Sequence, residues 1–238
     1  AMIPTLAGLA TEKKYDSFAQ QLGTTLRFVA LFIVPIAALI ASLGRPLGNF
    51  IGSLSASSQN TSAIGTTITA FSLVTIGFSL HYVVLRGFYS LEDTKTPFFI
   101  QLVIAVVNVG LAVTFTSFVD PLWVSTSLAL ALGPAYLVGL GLALFVISRR
   151  TAPIVDRGMV IFAGRLLATS VFGAVVVALA RFTWNELGWI DGSLWAYVTQ
   201  LVVLGSIGLA AMLAGLMMFR IEETQQVVRL LQRRRMKP

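Results

Sequence analysis

The segment FFIQLVIAVVNVGLAVTFTSFV, residues 98–119, carries no charged side chain. A helix needs about 20 mainly apolar residues to cross the hydrocarbon core of a bilayer, so this segment is long enough to do so. Five other runs have similar length and composition: residues 26–43, 64–85, 122–147, 160–180 and 194–219. None alternates like a β-strand, and each is about twice as long as a barrel strand. The sequence therefore predicts an all-α fold, a polytopic bundle of six transmembrane helices.

The composition of the 238-residue chain agrees with a membrane protein and excludes several kinds of site. Hydrophobic residues make up 56% of the chain and charged residues only 11%, against about a quarter in soluble domains. Because there is no cysteine and only one histidine, disulfides, thiolate sites and multi-histidine zinc centres are excluded. No phosphate-binding loop, nucleophile elbow or carboxylate pair occurs. We expect neither enzymatic activity nor a cofactor.

The basic residues predict the orientation of the helices. The formal net charge is +7, and of the 17 lysines and arginines only Arg45 and Arg181 lie on one side of the bundle. The other 15 lie before or at the start of the first run, after the last, between the second and third, or between the fourth and fifth, including the first residues of the fifth. The positive-inside rule places those segments, and both ends of the chain, in the cytoplasm. The basic charge therefore indicates membrane topology, and we expect no nucleic acid partner.

The connecting segments have their own local signals. Residues 1–10 are apolar from the start and are interpreted as the cut end of an earlier helix, and residues 12–21 as a short helix on the cytoplasmic surface. Residues 52–62 have the composition of a polar exterior loop, and FVDPLW, residues 118–123, that of a tight exterior hairpin. Between the second and third runs, Pro97 fits the first turn of a helix capped by Thr94 or Thr96.

Three strings carry a resemblance to a known family. They are MIPTLAGLA (residues 2–10), LRGFYSLEDTKTPFFIQLVIAVVNVGLAV (residues 85–113) and STSLA (residues 125–129). In this order they resemble the C-terminal half of the MurJ (MviN) lipid II flippase family, and most of all its actinobacterial members. The family belongs to the multidrug/oligosaccharidyl-lipid/polysaccharide exporter superfamily. The resemblance implies that the six runs correspond to the ninth to fourteenth helices of a fourteen-helix transporter.

The resemblance also implies a division of the chain and a function. Residues 1–24 would be the end of a truncated helix plus a cytoplasmic surface segment, and 25–148 four transmembrane helices of the second transporter lobe. Residues 149–219 would be a cytoplasmic loop and the final helix pair, and 220–238 a basic cytoplasmic tail. The expected activity is translocation of the undecaprenyl-linked peptidoglycan precursor across the bacterial cytoplasmic membrane by alternating access.

The expected partners are that lipid-linked precursor, membrane lipids, the N-terminal lobe of the same protein and cell-wall enzymes. Two alternatives stay open. The first is an exporter of another amphiphile in the same superfamily, and the second is a non-transporting membrane scaffold for cell-wall synthesis.

A polar stripe on the second run is a candidate for a cavity lining. Its members are spaced i, i+3, i+7, i+10 and i+14, which is one face of a helix: Ser72, Thr75, Ser79, Tyr82 and Arg86. The stripe can line a hydrated path for a sugar–pyrophosphate headgroup, with Arg86 attracting phosphate near the cytoplasmic mouth. Equally, the hydroxyls can bond carbonyls of their own helix and pack against a neighbour.

Other polar residues inside the runs have two interpretations each. His81 lies on another side of the helix, and we favour an interhelical hydrogen bond over proton coupling. Gln101 and Asn108 share one face and predict buried amides with partners on another helix. The resemblance implies a sodium site in which Asn108 and Thr126 match family ligands; the acid expected one turn after Asn108 is Ala112 here.

The last two predictions concern lipid. The resemblance implies a hydrophobic groove for an isoprenoid tail along the final helix pair, where small residues line the last run: Gly205, Gly208, Ala211 and Gly215. Ordinary close packing of helices explains the same residues. Arg165 is expected to extend to the cytoplasmic headgroups, and the tail of residues 220–238 to lie on the anionic inner leaflet.

Overall fold

The computed structural model describes residues 2–54, 61–189 and 192–219, and within them it contains eight α-helices and one short 3₁₀ turn. The helices are α1 (Met2–Thr11), α2 (Tyr15–Ser42), α3 (Gly44–Ser53), α4 (Thr61–Ser90), α5 (Lys95–Thr116), α6 (Val124–Arg150), α7 (Arg157–Glu186) and α8 (Leu194–Met218). The predicted basic tail, residues 220–238, lies outside the described residues.

The six predicted membrane runs coincide with the six longest of these helices. By length and composition, α2, α4, α5, α6, α7 and α8 can each cross a membrane. The six-helix prediction is therefore confirmed. A tight connection between α5 and α6 is also present, since only residues 117–123, with a 3₁₀ turn at Pro121–Trp123, separate the two helices; its exterior side stays a prediction.

Helix α4 is the centre of the bundle. It packs against α6, α2, α3 and α1, whereas α5 packs mainly against α6, and α7 pairs with α8 and with α2. The largest apolar core joins α1, α2, α4, α5 and α6 around Phe18, Phe88 and Ile147, none of which is exposed. A second core joins α2, α7 and α8 around Leu31, Leu166 and Leu216.

Helix α2 differs from its prediction at the cytoplasmic end. A separate surface helix over residues 12–21 is wrong, because one continuous helix runs from Tyr15 to Ser42. Phe18 and Leu22, one turn apart, are completely buried and extend the apolar face of the membrane helix beyond the bilayer-length run. The predicted boundary between residues 24 and 25 thus falls inside α2.

Helix α3 was missed by the prediction, which placed no helix between the first and second runs. Gly44, Gly48 and Gly52 recur every four residues and press α3 against α4. A Cβ added to Gly48 would lie 2.4 Å from the carbonyl oxygen of Thr61 and 2.6 Å from the backbone nitrogen of Gly65. This small-residue spacing was the available signal, since it permits backbones to approach closely.

The turn between α4 and α5 is closed by backbone bonds and by one aspartate. Glu92 adopts a left-handed conformation with φ of 57°, and the Asp93 N–H donates to the Phe88 carbonyl, which ends α4. The Asp93 Oδ1 then accepts from the N–H groups of Lys95 and Thr96, both at 3.0 Å. Thr94 occupies the N-cap position, as predicted, but its hydroxyl makes no capping bond. The side chain that caps α5 is that of Asp93, because a carboxylate accepts both bonds more strongly than a hydroxyl can.

Candidate functional site

The five stripe residues of α4 lie along the side of the helix that its neighbours leave uncovered. Tyr82 is 46% exposed, and the other four are half-buried. The opposite side of α4 is packed: Val84 and Phe88 are fully buried, and a Cβ on Gly77 would lie 3.0 Å from the Cβ of Tyr136. The structure thus brings the predicted stripe together on one accessible face.

An aromatic ladder supports the arginine of this face. The rings of Phe78 and Tyr82 stack at 6.1 Å with an interplanar angle of 14°, and the Arg86 guanidinium carbon lies 4.8 Å from the Tyr82 ring centroid. Phe78 also meets Tyr136 of α6 edge to face at 5.3 Å. Stacking orders the guanidinium plane and leaves its N–H edge available for an anion. Phe78 and Tyr136 were not predicted from the sequence, although the i, i+4, i+8 spacing of Phe78, Tyr82 and Arg86 indicates the ladder.

Two hydroxyls of the stripe are already engaged within α4. The Ser72 hydroxyl donates to the Thr69 carbonyl at 2.7 Å, and the Thr75 hydroxyl to the Phe71 carbonyl at 3.0 Å. In the described part of the chain, the Tyr82 hydroxyl and the Arg86 guanidinium make no hydrogen bond. Donors toward a ligand are therefore concentrated at the Arg86 end of the stripe.

An aspartate–arginine clasp fixes the α4–α5 turn next to Arg86. Arg150, the last residue of α6, donates to Asp93 Oδ2 and, at 2.9 Å, to the Thr96 hydroxyl. Desolvation raises the pKa of Asp93, but the bonds from Thr96 and the charge of Arg150 outweigh it, so the pKa lies below its usual value.

A second clasp has the same design at the start of α7. Asp156 caps α7 by accepting from the Met159 N–H at 2.6 Å, and the same oxygen accepts from Arg27 of α2 at 2.8 Å. The Met159 bond is the main reason that the pKa of Asp156 is lowered; desolvation opposes it and the Arg27 charge adds to it. Both clasps join helices that are distant in sequence on the same side of the bundle.

Asn108 and Thr126, the predicted sodium ligands, make no hydrogen bond to each other in the described part of the chain. The Thr126 hydroxyl is buried and lies 2.8 Å from the Thr67 hydroxyl of α4. Asn108 is half-buried and makes no hydrogen bond to a described residue. Gln101, predicted to be buried, is exposed, because α5 contacts little besides α6 and has no neighbour on that side.

His81 is buried among apolar atoms. It is only 2% exposed, its ring centroid lies 6.1 Å from that of Tyr136, and neither ring nitrogen has a hydrogen-bond partner among the described residues. The backbone of Gly139 in α6 is the polar group that His81 faces, an interhelical partner of the predicted kind, although the two do not form a hydrogen bond of regular geometry. Gly139 of α6 makes room for the Ile104 side chain of α5, which a Cβ there would overlap, whereas the His81 Cε1 would be in ordinary contact at 3.8 Å.

The small residues of α8 are used mainly for close packing in this structure. A Cβ on Gly208 would lie 2.4 Å from a methyl of Leu39 in α2, and one on Gly215 2.9 Å from a methyl of Thr169 in α7. Ala211 is buried, and Gly205 is half-buried. An open apolar groove lies instead between α2 and α7.

Comparisons with known proteins identify the family. A model of the family described as lipid II flippase MurJ matches residues 1–200. The probable lipid II flippase MurJ of Haemophilus influenzae is 30% identical over 194 residues, covering 74% of this chain and 35% of the relative. A solved lipid II flippase MurJ in an inward closed conformation superposes with a TM-score of 0.66 and 19% identity, over 92% of this chain and 43% of the other. The chain thus spans well under half of the relatives that it matches. Since the family model covers most of its length, the chain belongs to the MurJ lipid II flippase family.

Proposed function

We propose that this chain is the C-terminal part of a transporter that moves the lipid-linked peptidoglycan precursor across the bacterial cytoplasmic membrane. The observation that carries the proposal is the family match over residues 1–200. The chain covers only 35% and 43% of the matched relatives, so the activity is that of the complete protein. Alternating access between two lobes requires no bond making or breaking within the chain.

Within that transporter, the uncovered face of α4 is the proposed wall of the substrate cavity. Uncovered polar groups are costly against lipid, so this face is expected to meet water or the other lobe. Arg86 stands at the end of the face nearest the α4–α5 turn, with its guanidinium ordered by Tyr82. Because pyrophosphate is recognised well by a planar, fixed guanidinium, Arg86 is the proposed phosphate contact of this lobe.

The test is complementation with the full-length gene in cells depleted of their own flippase, with export of the precursor as the readout. Wild type is expected to restore export, and Arg86→Gln to lower its rate about tenfold or more, the effect of losing one charge-assisted hydrogen bond. Arg149 supplies a matched control, because it stacks on Phe145 at 5.2 Å at the cytoplasmic end of α6. Arg149→Gln should retain export at equal protein levels.

Two outcomes would refute parts of the proposal. Equal losses in both arginine variants would show that Arg86 acts through the basic charge of the loops and not as a phosphate contact. Failure of the wild-type gene at normal membrane abundance would refute transport of this substrate and favour export of another amphiphile or a scaffold.

The proposed orientation places the α4–α5 and α6–α7 loops and both ends in the cytoplasm. It is supported by the basic residues, of which only Arg45 and Arg181 lie on the other side. Lys95→Cys and Ser53→Cys, each in a cysteine-free background, test it with an impermeant maleimide. We expect Ser53→Cys to react in intact cells and Lys95→Cys only after lysis, and the reverse result would invert the topology.

A further inference from the structure

The groove between α2 and α7 is shaped for a hydrocarbon chain. Its volume is about 410 Å³, and small or apolar residues line it: Ala38, Ala41 and Ser42 of α2, and Leu167, Ser170, Val171, Ala174 and Ala178 of α7. Leu167 and Val171 are 58% and 61% exposed, so the groove is open along its side. The two hydroxyls in it donate to carbonyls of their own helices, Ser42 to Ala38 and Ser170 to Leu166. The wall therefore offers little to a polar ligand.

One cation closes the groove at the end opposite the basic loops. Arg181 is the ninth and last lining residue, it is half-buried, and it makes no hydrogen bond, ion pair or ring contact with any described residue. A half-buried guanidinium without a counter-charge is unfavourable in or near a bilayer, which calls for an anionic partner at this position. A phosphate group matches the guanidinium geometry.

We propose that this groove is a binding site for an anionic glycerophospholipid, with one acyl chain between α2 and α7 and the phosphate on Arg181. The α7 wall of the groove is long enough for an acyl chain: Leu167 to Arg181 spans about 21 Å of helix, somewhat more than the roughly 15 Å depth of one leaflet. The site is separate from the α4 face, and the proposal does not depend on the transported substrate.

The test uses the delipidated full-length protein in detergent. Phosphatidylglycerol is added in increasing amounts, and its apparent Kd is taken from the rise in unfolding temperature, since a ligand that binds only the folded state stabilises it. Diacylglycerol with the same acyl chains, which lacks the phosphate, is the ligand control. We expect phosphatidylglycerol to bind the wild type at least tenfold more tightly than diacylglycerol does.

Two variants separate the parts of the site. Arg181→Gln is expected to weaken phosphatidylglycerol binding about tenfold and to leave diacylglycerol binding unchanged. Arg45→Gln is the matched control, because Arg45 is exposed on the same side of the bundle but does not line the groove. Ala174→Leu, which fills the groove from a half-buried position, should weaken both lipids.

Three results would overturn the proposal. Unchanged phosphatidylglycerol binding in Arg181→Gln would remove the phosphate contact. If Arg45→Gln weakened phosphatidylglycerol binding as much as Arg181→Gln does, the loss of affinity would be due to general surface charge. Undecaprenyl pyrophosphate could instead displace phosphatidylglycerol at a lower concentration than phosphatidylglycerol itself needs to bind. If Arg181→Gln abolished that displacement, the groove would be assigned to the isoprenoid lipid.

Discussion

Helices α4 and α5 are consecutive and are joined by a short turn, yet they hold opposite places in the bundle. The mean hydropathies of their most apolar 18-residue segments are 1.8 and 2.3, so both suit a membrane, and α5 is the more apolar. Within their most apolar windows, 33% of the α4 residues are buried by protein but only 11% of the α5 residues. The less hydrophobic helix is therefore the central one.

This contrast follows from the physics of association in lipid. Lipid tails are as apolar as leucine, so hydrophobicity inserts a helix without selecting its neighbours. Close approach and polar pairing select them. α4 supplies both, through Gly65 and Gly77 at close contacts and through the Thr67 hydroxyl at Thr126. On α5, a Cβ at Gly110 would find nothing within 4 Å.

The largest expected effect tests the few residues that attach α5. Ile100 and Ile104 are each 2% exposed, and the Ile104 side chain sits directly over Gly139 of α6. Ile104→Ala should lower the free energy of unfolding by about 2–3 kcal/mol, because it leaves a cavity at this contact. Val106→Ala is the control, since Val106 is 65% exposed, and it should change stability little. Similar losses from both variants would contradict the peripheral position of α5.

The same substitution in both helices should act with opposite sign. A Cβ on Gly65 would lie 2.7 Å from the Gly44 carbonyl oxygen and 3.0 Å from the Arg45 Cα, both backbone atoms that cannot yield easily. We expect Gly65→Ala to destabilise the full-length protein by about 1–3 kcal/mol. Gly110→Ala should be neutral or stabilising by up to about 1 kcal/mol, because alanine favours helix and the space is open. Thermal unfolding of the two variants and the wild type measures both effects. A Gly65→Ala protein as stable as the wild type would refute the tight α3–α4 contact.

The turn between the two helices should respond to acid. Because the folded-state pKa of Asp93 is lowered, its stabilising effect is present above the unfolded-state value near 4 and is lost as the pH falls through the folded-state value. The stability difference between wild type and Asp93→Asn should therefore be constant at neutral pH and shrink below about pH 4. Unfolding measured across pH for both proteins gives this difference. A difference that does not change with pH would show that the carboxylate charge is not used.

The smallest expected effect concerns the hydroxyl pair of α4 and α6. Thr67→Val and Thr126→Val form a double-mutant cycle, and we expect a coupling of about 0.6 kcal/mol, typical of interhelical hydrogen bonds in membranes. Thr114 of α5 donates to its own helix at Gly110, so Thr67→Val combined with Thr114→Val should be additive. Coupling in the control pair, or none in the first, would count against the bond.

The sequence predicted some site features and missed others for identifiable reasons. Helical periodicity alone placed Arg86 and Tyr82 on one face, because that face depends only on local geometry. The stack of Phe78 on Tyr82 could have been found from its spacing. The clasp of Asp93 by Arg150 could not, because it joins residues that only the packing of α4, α5 and α6 brings together. The predicted burial of Gln101 was wrong for the same reason. Its apolar sequence context did not show that no other helix packs against that side of α5.

The sequence by itself determined that this chain enters a membrane, how many long helices cross it and which family it belongs to. These properties depend on runs of apolar residues and on short sequence motifs, which can be recognised without knowing any contact between residues. The tertiary structure alone decided that α4 is central and α5 peripheral, that α3 exists as a helix, and that Arg181 closes an apolar groove. In lipid the choice of partner depends on shape and on polar pairs between distant segments, and hydropathy carries no information about either.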